Sequence, residues 1–262
     1  MNQEVLIERL FQALVNGNRS AAREIVAETL QAGISAEEVL SDLFWPTLTL
    51  LNKLHRADQL AMMGHHFATR LLRSLADQMQ LRLQRHPSLS KRVLIVCGPT
   101  EQNELAACMA ADLVEARGFD VSFAGGGVPA DEVMARVGEH RPDTLLIFSS
   151  SARDLPDIRR MIDRLHEMNV CPHMQIVVGG GVFNRADGLA EEIGADLFVS
   201  ELGEIASELV ENADVRASPG QRTVGRKRRS NDSNVAGSCG IDNCDEDDDR
   251  DEEVRRIHTD AA

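Results

Sequence analysis

Val93-Leu94-Ile95-Val96-Cys97-Gly98-Pro99-Thr100-Glu101-Gln102-Asn103 runs five apolar residues straight into a turn. A helical pattern, Glu104–Ala116, follows at once. The same unit then repeats. Short apolar runs at Asp120–Ala124, Thr144–Phe148, Gln175–Val178 and Asp196–Val199 alternate with helical segments at Ala130–Gly138, Leu155–Met168, Asn184–Ile193 and Glu204–Glu211. Strands that alternate with helices of this length imply a parallel sheet covered on both faces. Right-handed crossovers make it α/β and doubly wound, with the flavodoxin-like strand order 2-1-3-4-5. Ligands of such sheets sit outside the carboxyl ends of the strands.

Upstream, residues 2–86 read as helices almost throughout. Leu6, Leu10, Phe11 and Leu14 form an apolar stripe at helical spacing that Gly17-Asn18 interrupts. A second helix carries Ile25, Val26, Thr29 and Leu30 and stops at Gly33. Ser35-Ala36-Glu37-Glu38 is a capping box that opens a third, with Pro46 at a kink or junction. A fourth spans about Ala57 to Leu83. The expected organisation is therefore a four-helix cap bundle over 1–86, an α/β domain over 91–212 and a charged tail over 213–262. That tail holds the basic run Arg226–Arg229 and an acidic run from Asp242 to Glu253, and its composition predicts disorder.

Composition removes several function classes. Aromatic residues are only 3%, with Trp45 the one tryptophan, so base-stacking platforms for single-stranded nucleic acid are not expected. A net charge of -14 argues against affinity for DNA or an anionic membrane surface. No apolar run reaches the length of a bilayer span, and the amphipathic start MNQEVLIERL does not read as a secretory signal. The five scattered cysteines then fit reduced thiols and a cytoplasmic protein. Cys239, Cys244 and His258 have no second cysteine pair to frame a metal knuckle. No nucleophilic triad, Walker loop or helix-turn-helix is legible, so the chain is not expected to catalyse a reaction by itself.

The loops at the carboxyl edge are rich in glycine and hydroxyls. They are Gly98–Asn103, Gly125-Gly126-Gly127-Val128-Pro129, Ser149-Ser150-Ser151 and Gly179-Gly180-Gly181. Glycine and serine in one such loop serve turn geometry alone. Four on one edge predict a pocket where a bulky ligand meets the backbone.

With these loops in place, residues 1–212 resemble the cobalamin-binding modules of methionine synthase, corrinoid carriers and B12-dependent photoreceptor regulators. The family signature is D-x-H-x-x-G, then S-x-L, then G-G. Anchored on Glu115–Val121, Glu101 stands at the Asp, Asn103 at the His and Ala106 at the Gly. Ser149-Ser150-Ser151 stands at S-x-L and Gly180-Gly181 at G-G. The intervals, 42 residues from Ala106 to Ser149 and 28 from Ser151 to Gly180, suit the family. The resemblance implies a cobalamin pocket formed by Glu101, Asn103, Gly125, Gly126, Ser149, Ser151, Gly180 and Gly181.

The family's His ligates cobalt from below, oriented by the Asp and Ser. Asn103 offers a neutral amide oxygen, a poor replacement for imidazole. Two outcomes remain: a cobalamin held without a lower His ligand, or a different ligand or none. In the cap, Gly64–Thr69 resembles the family's E-H-x-A-T segment. His66 then matches the family His, His65 replaces the Glu, and His55 replaces a Trp. His55 and His66 are the cap candidates for the cofactor, and His66 the candidate metal ligand. Neighbouring helical residues point about 100° apart, so His65 and His66 cannot both face one metal. Three readings follow: a regulatory or sensory cobalamin protein with a protein partner, a corrinoid carrier serving a methyltransferase, or a haem-binding or ligand-free interaction module.

Overall fold

The computed structural model describes residues 2–98 and 104–217. Helix α1 (Gln3–Val15) starts where the Asn2 side chain accepts from the Glu4 amide. Helix α2 (Arg19–Gln31) is capped by Asn18, and the chain turns away at Gly33, whose φ is +92°. Ser35 and Glu38 close the expected capping box at α3 (Ala36–Glu38). Beyond it lies a π-helical stretch, Val39–Phe44, that leads into α4 (Trp45–Arg56).

Pro46 explains the wide turn. Its ring nitrogen has no hydrogen for the carbonyl four residues back, that of Asp42. The Gln3 amide fills the gap, donating to Asp42 O at 2.8 Å. The proline therefore ties the third helix to the first.

Helix α5 (Met62–Gln80) begins later than the sequence pattern suggests, because α4 runs on to Arg56 and Asp58 then turns with φ 55°. The sheet follows: β1 (Arg92–Cys97), α6 (Glu104–Ala116), β2 (Asp120–Gly125), α7 (Ala130–His140), β3 (Thr144–Phe148), α8 (Leu155–Met168), β4 (Gln175–Gly179), α9 (Leu189–Ile193), β5 (Leu197–Val199) and α10 (Ile205–Glu211). The strands are parallel in the order β2-β1-β3-β4-β5. Helix α9 is shorter than expected. Phe183–Arg185 forms a 3-10 turn instead, and Gly188, with φ +76°, sets the true start.

Side-chain alternation along β1 sorts the core. Val93, Ile95 and Cys97 face α6, α10 and the cap, whereas Leu94 and Val96 face α7, α8 and α9. Helix α6 is buried on most of its circumference, and alanines at 107, 110 and 111 let neighbours approach closely. It sits between sheet and cap, so Leu10, Phe44 and Leu72 of the cap share one apolar core with Met109 and Val114 of α6. All described residues fall in one compact unit.

The chain stays pinned beyond Asn212. Gln175 Nε2 donates to the carbonyls of Asn212 and Val215, and the Ala217 amide donates to Asp196. From residue 218 onward, the expected tail, with Arg226–Arg229, Cys239, Cys244 and His258, lies outside the described residues. No described helix is long and apolar enough to cross a membrane.

Candidate functional site

A cavity of about 360 Å³ opens between the cap and the carboxyl edge of the sheet. The cap side is made by Trp45, Leu48 and Asn52 of α4, and the sheet side by Phe148, Ser149, Gly180 and Gly181. Ala106 of α6 closes the floor. This is the crevice beside β1, β3 and β4, where the strand order reverses.

Local geometry explains the sheet side. Gly180 has φ +101°, and a Cβ there would lie 2.4 Å from Ser149 O. Only glycine lets the β4 loop pass so close to the β3 loop. The Ser149 hydroxyl is buried and donates to Ser151 O at 3.2 Å, with Asp154 Oδ2 at 3.5 Å. Asp154, also buried, lies under Gly98, where a Cβ would meet its carboxylate at 2.2 Å. The β1 and β3 loops are thus held together through a glycine and a buried acid.

Of the residues expected from the sequence, Ser149, Gly180 and Gly181 line this cavity. Ser151 does not; its hydroxyl accepts from the Arg153 amide and caps a 3-10 turn. Gly125 and Gly126 lie at the end of β2, the far edge strand, and are not lining residues. A Cβ on Gly125 would instead meet Glu104 Oε1 at 2.5 Å, a carboxylate that Arg73 holds at 3.0 Å. Glu101 and Asn103 lie outside the described residues.

The cap histidines form a stack beside the cavity rather than a wall of it. His55 and His65 lie with ring centroids 4.1 Å apart, while His66 is exposed. His65 Nε2 is 3.2 Å from Asn52 Oδ1. Asn52 is a lining residue, so an imidazole reaches the cavity only through an amide. Neither His55 nor His66 lines it, and no group of three or more metal-ligating side chains is assembled among the described residues. The sequence pattern around Gly64–Thr69 placed the histidines on the correct helix but could not show which way they turn. Asn52, Asp154 and Arg185 were missed altogether. Arg185 had one available signal, its position four residues after the glycine pair.

Burial, then the charges of His55 and His66, pull the pKa of His65 down to about 4 from 6.5. It stays neutral at physiological pH and donates its Nε2 hydrogen to Asn52. A depressed imidazole pKa contributes stability that is full above about 6.5 and is lost as pH falls towards 4, because only the unfolded chain takes up the proton in that window. His65→Gln is expected to flatten this part of the thermal-stability curve relative to wild type while leaving pH 8 nearly unchanged. Parallel curves for the two proteins between pH 6.5 and 4 would refute it. The buried Cys97 and half-buried Cys108 supply no ready nucleophile: desolvation, aided by Glu104, pushes Cys97 up to about 12, and desolvation aided by Asp112 pushes Cys108 up to about 11.

The lining fits an amphipathic macrocycle by residue type, with apolar walls from Trp45, Leu48 and Phe148 and hydroxyl and amide groups at the rim. The volume is at the small end of ligand cavities, roughly 300–1,000 Å³. A corrinoid with its nucleotide tail exceeds it, so seating one requires the cap to move outward or the ligand to project through the mouth.

Comparison with known proteins agrees with this architecture. Residues 91–211 match a family model described as a B12 binding domain, and residues 6–78 match a second model of the same description. The chain is 20% identical over 216 residues to monomethylamine corrinoid protein 1 of Methanosarcina barkeri, covering 80% of this chain and 98% of that one. It is 22% identical over 212 residues to the trimethylamine corrinoid protein of the same organism, covering 80% and 95%. The solved structure of the Methanosarcina barkeri monomethylamine corrinoid protein superposes with a TM-score of 0.72 at 19% identity, covering 81% of this chain and all of that one, and so shares the fold. None of these comparisons favours haem over a corrinoid. With its cap and its sheet each matched, the chain belongs to the B12-binding-domain family in which a helical cap precedes the α/β unit.

Proposed function

We propose that this protein holds a corrinoid between cap and sheet and presents it to a partner protein, as a carrier for methyl transfer. The observation that carries the reading is the cavity in which Ser149, Gly180 and Gly181 face Trp45, Leu48 and Asn52. Likeness to methylamine corrinoid proteins along almost their whole length supports the carrier role. A bound corrinoid supplies a cobalt centre able to carry a methyl group; the chain supplies the slot, the apolar shield and the polar rim. Ser149 is turned towards Ser151 and Asp154, so its hydroxyl holds the loop rather than serving a histidine relay.

A second reading, regulatory or sensory, is favoured by Asn103, which stands where the family's lower ligand is a His. Either way, the cofactor is held without an imidazole from that position.

The test is uptake from solution. Purified protein incubated with hydroxocobalamin is expected to retain a corrin absorption spectrum through gel filtration, and to retain no haem after the same treatment with haemin. Loss of all corrin absorbance on the column would overturn the reading. Methyl transfer from the loaded protein with a partner methyltransferase supports the carrier; its absence alongside tight retention supports the regulator.

A further inference from the structure

Three cations converge on the mouth of the cavity. Lys53 and Arg56 come from α4 in the cap, and Arg185 from the 3-10 turn after β4. They arrive from opposite sides, although the chain as a whole carries a net charge of -14. Among the described residues, no carboxylate lines the cavity and none of the three cations is in an ion pair.

Arg185 is placed rather than loose. Its Nη2 donates to Ser150 O at 2.9 Å, which ties the guanidinium to the β3 loop. Its Nη1 passes 3.2 Å from where Gly181 would carry a Cβ, so the glycine leaves it room. Partial burial and then the charge of Arg56 both weaken its hold on its proton. Two guanidiniums thus line one cavity from cap and sheet, like charges with no acid among the described lining residues to offset them. Such an arrangement is unfavourable in the empty protein and becomes favourable once an anion enters.

The geometry points to a subsite for a phosphate-class anion, gripped by Arg56 and Lys53 from the cap and Arg185 from the sheet. A carboxylate is satisfied by one guanidinium fork. Three donors that converge from two structural elements suit a group with oxygens directed several ways, and arginine matches phosphate oxygens in pairs. The inference rests on the corrinoid reading for the identity of the main ligand. The anion has two possible sources: the phosphodiester of a complete cobalamin, or a separate small phosphate bound beside the corrin. In either case the anion is held by cations from both the cap and the sheet side of the cavity.

The experiment compares wild type, the double variant Arg56→Gln/Arg185→Gln and Arg9→Gln, a charge control on α1. Each is titrated with cobalamin, with cobinamide (the same corrinoid without phosphate and base) and with inorganic phosphate alone, followed by absorbance and thermal denaturation. If the phosphodiester is the anion, the double variant loses at least about tenfold in cobalamin affinity and little for cobinamide, and Arg9→Gln loses neither. If the anion is separate, inorganic phosphate raises the Tm of wild type but not of the double variant, and strengthens cobinamide binding. A folded double variant with the wild-type ratio of cobalamin to cobinamide affinity, together with no phosphate effect on wild type, overturns the subsite. Should neither corrinoid bind wild type, the corrinoid reading fails while the phosphate arm still decides: stabilisation lost in the double variant upholds the subsite, and no stabilisation overturns it.

Discussion

Gly180→Ala is expected to abolish corrinoid retention and to destabilise the protein. The methyl group would lie 2.4 Å from Ser149 O, a backbone atom that cannot swing aside. It would also hold an L-residue at φ +101°, which costs about 1–2 kcal/mol before any clash. The β3 and β4 loops are joined at this point, with Ser149 N donating to Gly179 O and Val182 N to Ser149 O. Relief of the clash must part them, and both line the cavity. The combined stability loss is about 2–4 kcal/mol, read by thermal denaturation. Affinity for hydroxocobalamin should fall at least about a hundredfold, equivalent to roughly 2.8 kcal/mol.

Gly118→Ala separates damage to the site from damage to the fold. It is strained in the same way, with φ +99° and a Cβ 2.1 Å from Pro87 O, but it lies at the junction of α6 and β2. It should lower Tm while folded molecules keep wild-type affinity. Equal loss of affinity in both variants would remove the β4 loop from the site.

Asp112→Asn should stabilise the protein strongly above neutral pH. Asp112 is buried on α6, and burial first, then Glu115 and Asp77, push its pKa up to about 7 from 3.8. A carboxyl whose folded pKa is raised works against the native state once ionised. Stability from this group is full below pH 3.8, falls as pH rises towards 7, and is at its lowest above. Each pKa unit corresponds to about 1.4 kcal/mol. Solvent relaxation reduces the ceiling, leaving a gain of about 2 kcal/mol at pH 8, or roughly 4–8 °C in Tm for a domain of this size. At pH 4 the variant and wild type should melt together. A gain of the same size at both values would show that packing, not ionisation, is responsible. Because Asp77 stands on α5 and Asp112 on α6, the same measurement reports on charge repulsion across the seam between cap and sheet.

The elements that were legible share one property: their cause is local. Val93–Cys97 and Thr144–Phe148 are too apolar to be anything but interior strands, and each is followed by its crossover helix. Ser35 and Glu38 close a capping box over three residues. Departures arise where distant residues intervene. The π turn before Trp45 needs Gln3, 39 positions away from Asp42. The late start of α5 and the short α9 hinge on Asp58 and Gly188 adopting positive φ, which side-chain periodicity does not report.

The candidate site divides in the same way. The sequence by itself determined the parallel order of the strands, the glycine and serine loops at one edge, and the substitution of Asn103 for an imidazole, because periodicity and residue chemistry are carried along the chain. Only the tertiary structure decided which of those loops share a cavity. It left Gly125, Gly126 and Ser151 outside the lining, turned His65 behind Asn52, and put Arg56 and Arg185 on the lining of one cavity. The reason is physical: a helix's rotation about its axis and the distance between cap and sheet are set by the packing of Phe44, Leu72 and Met109 in a shared core, and no local pattern encodes that distance.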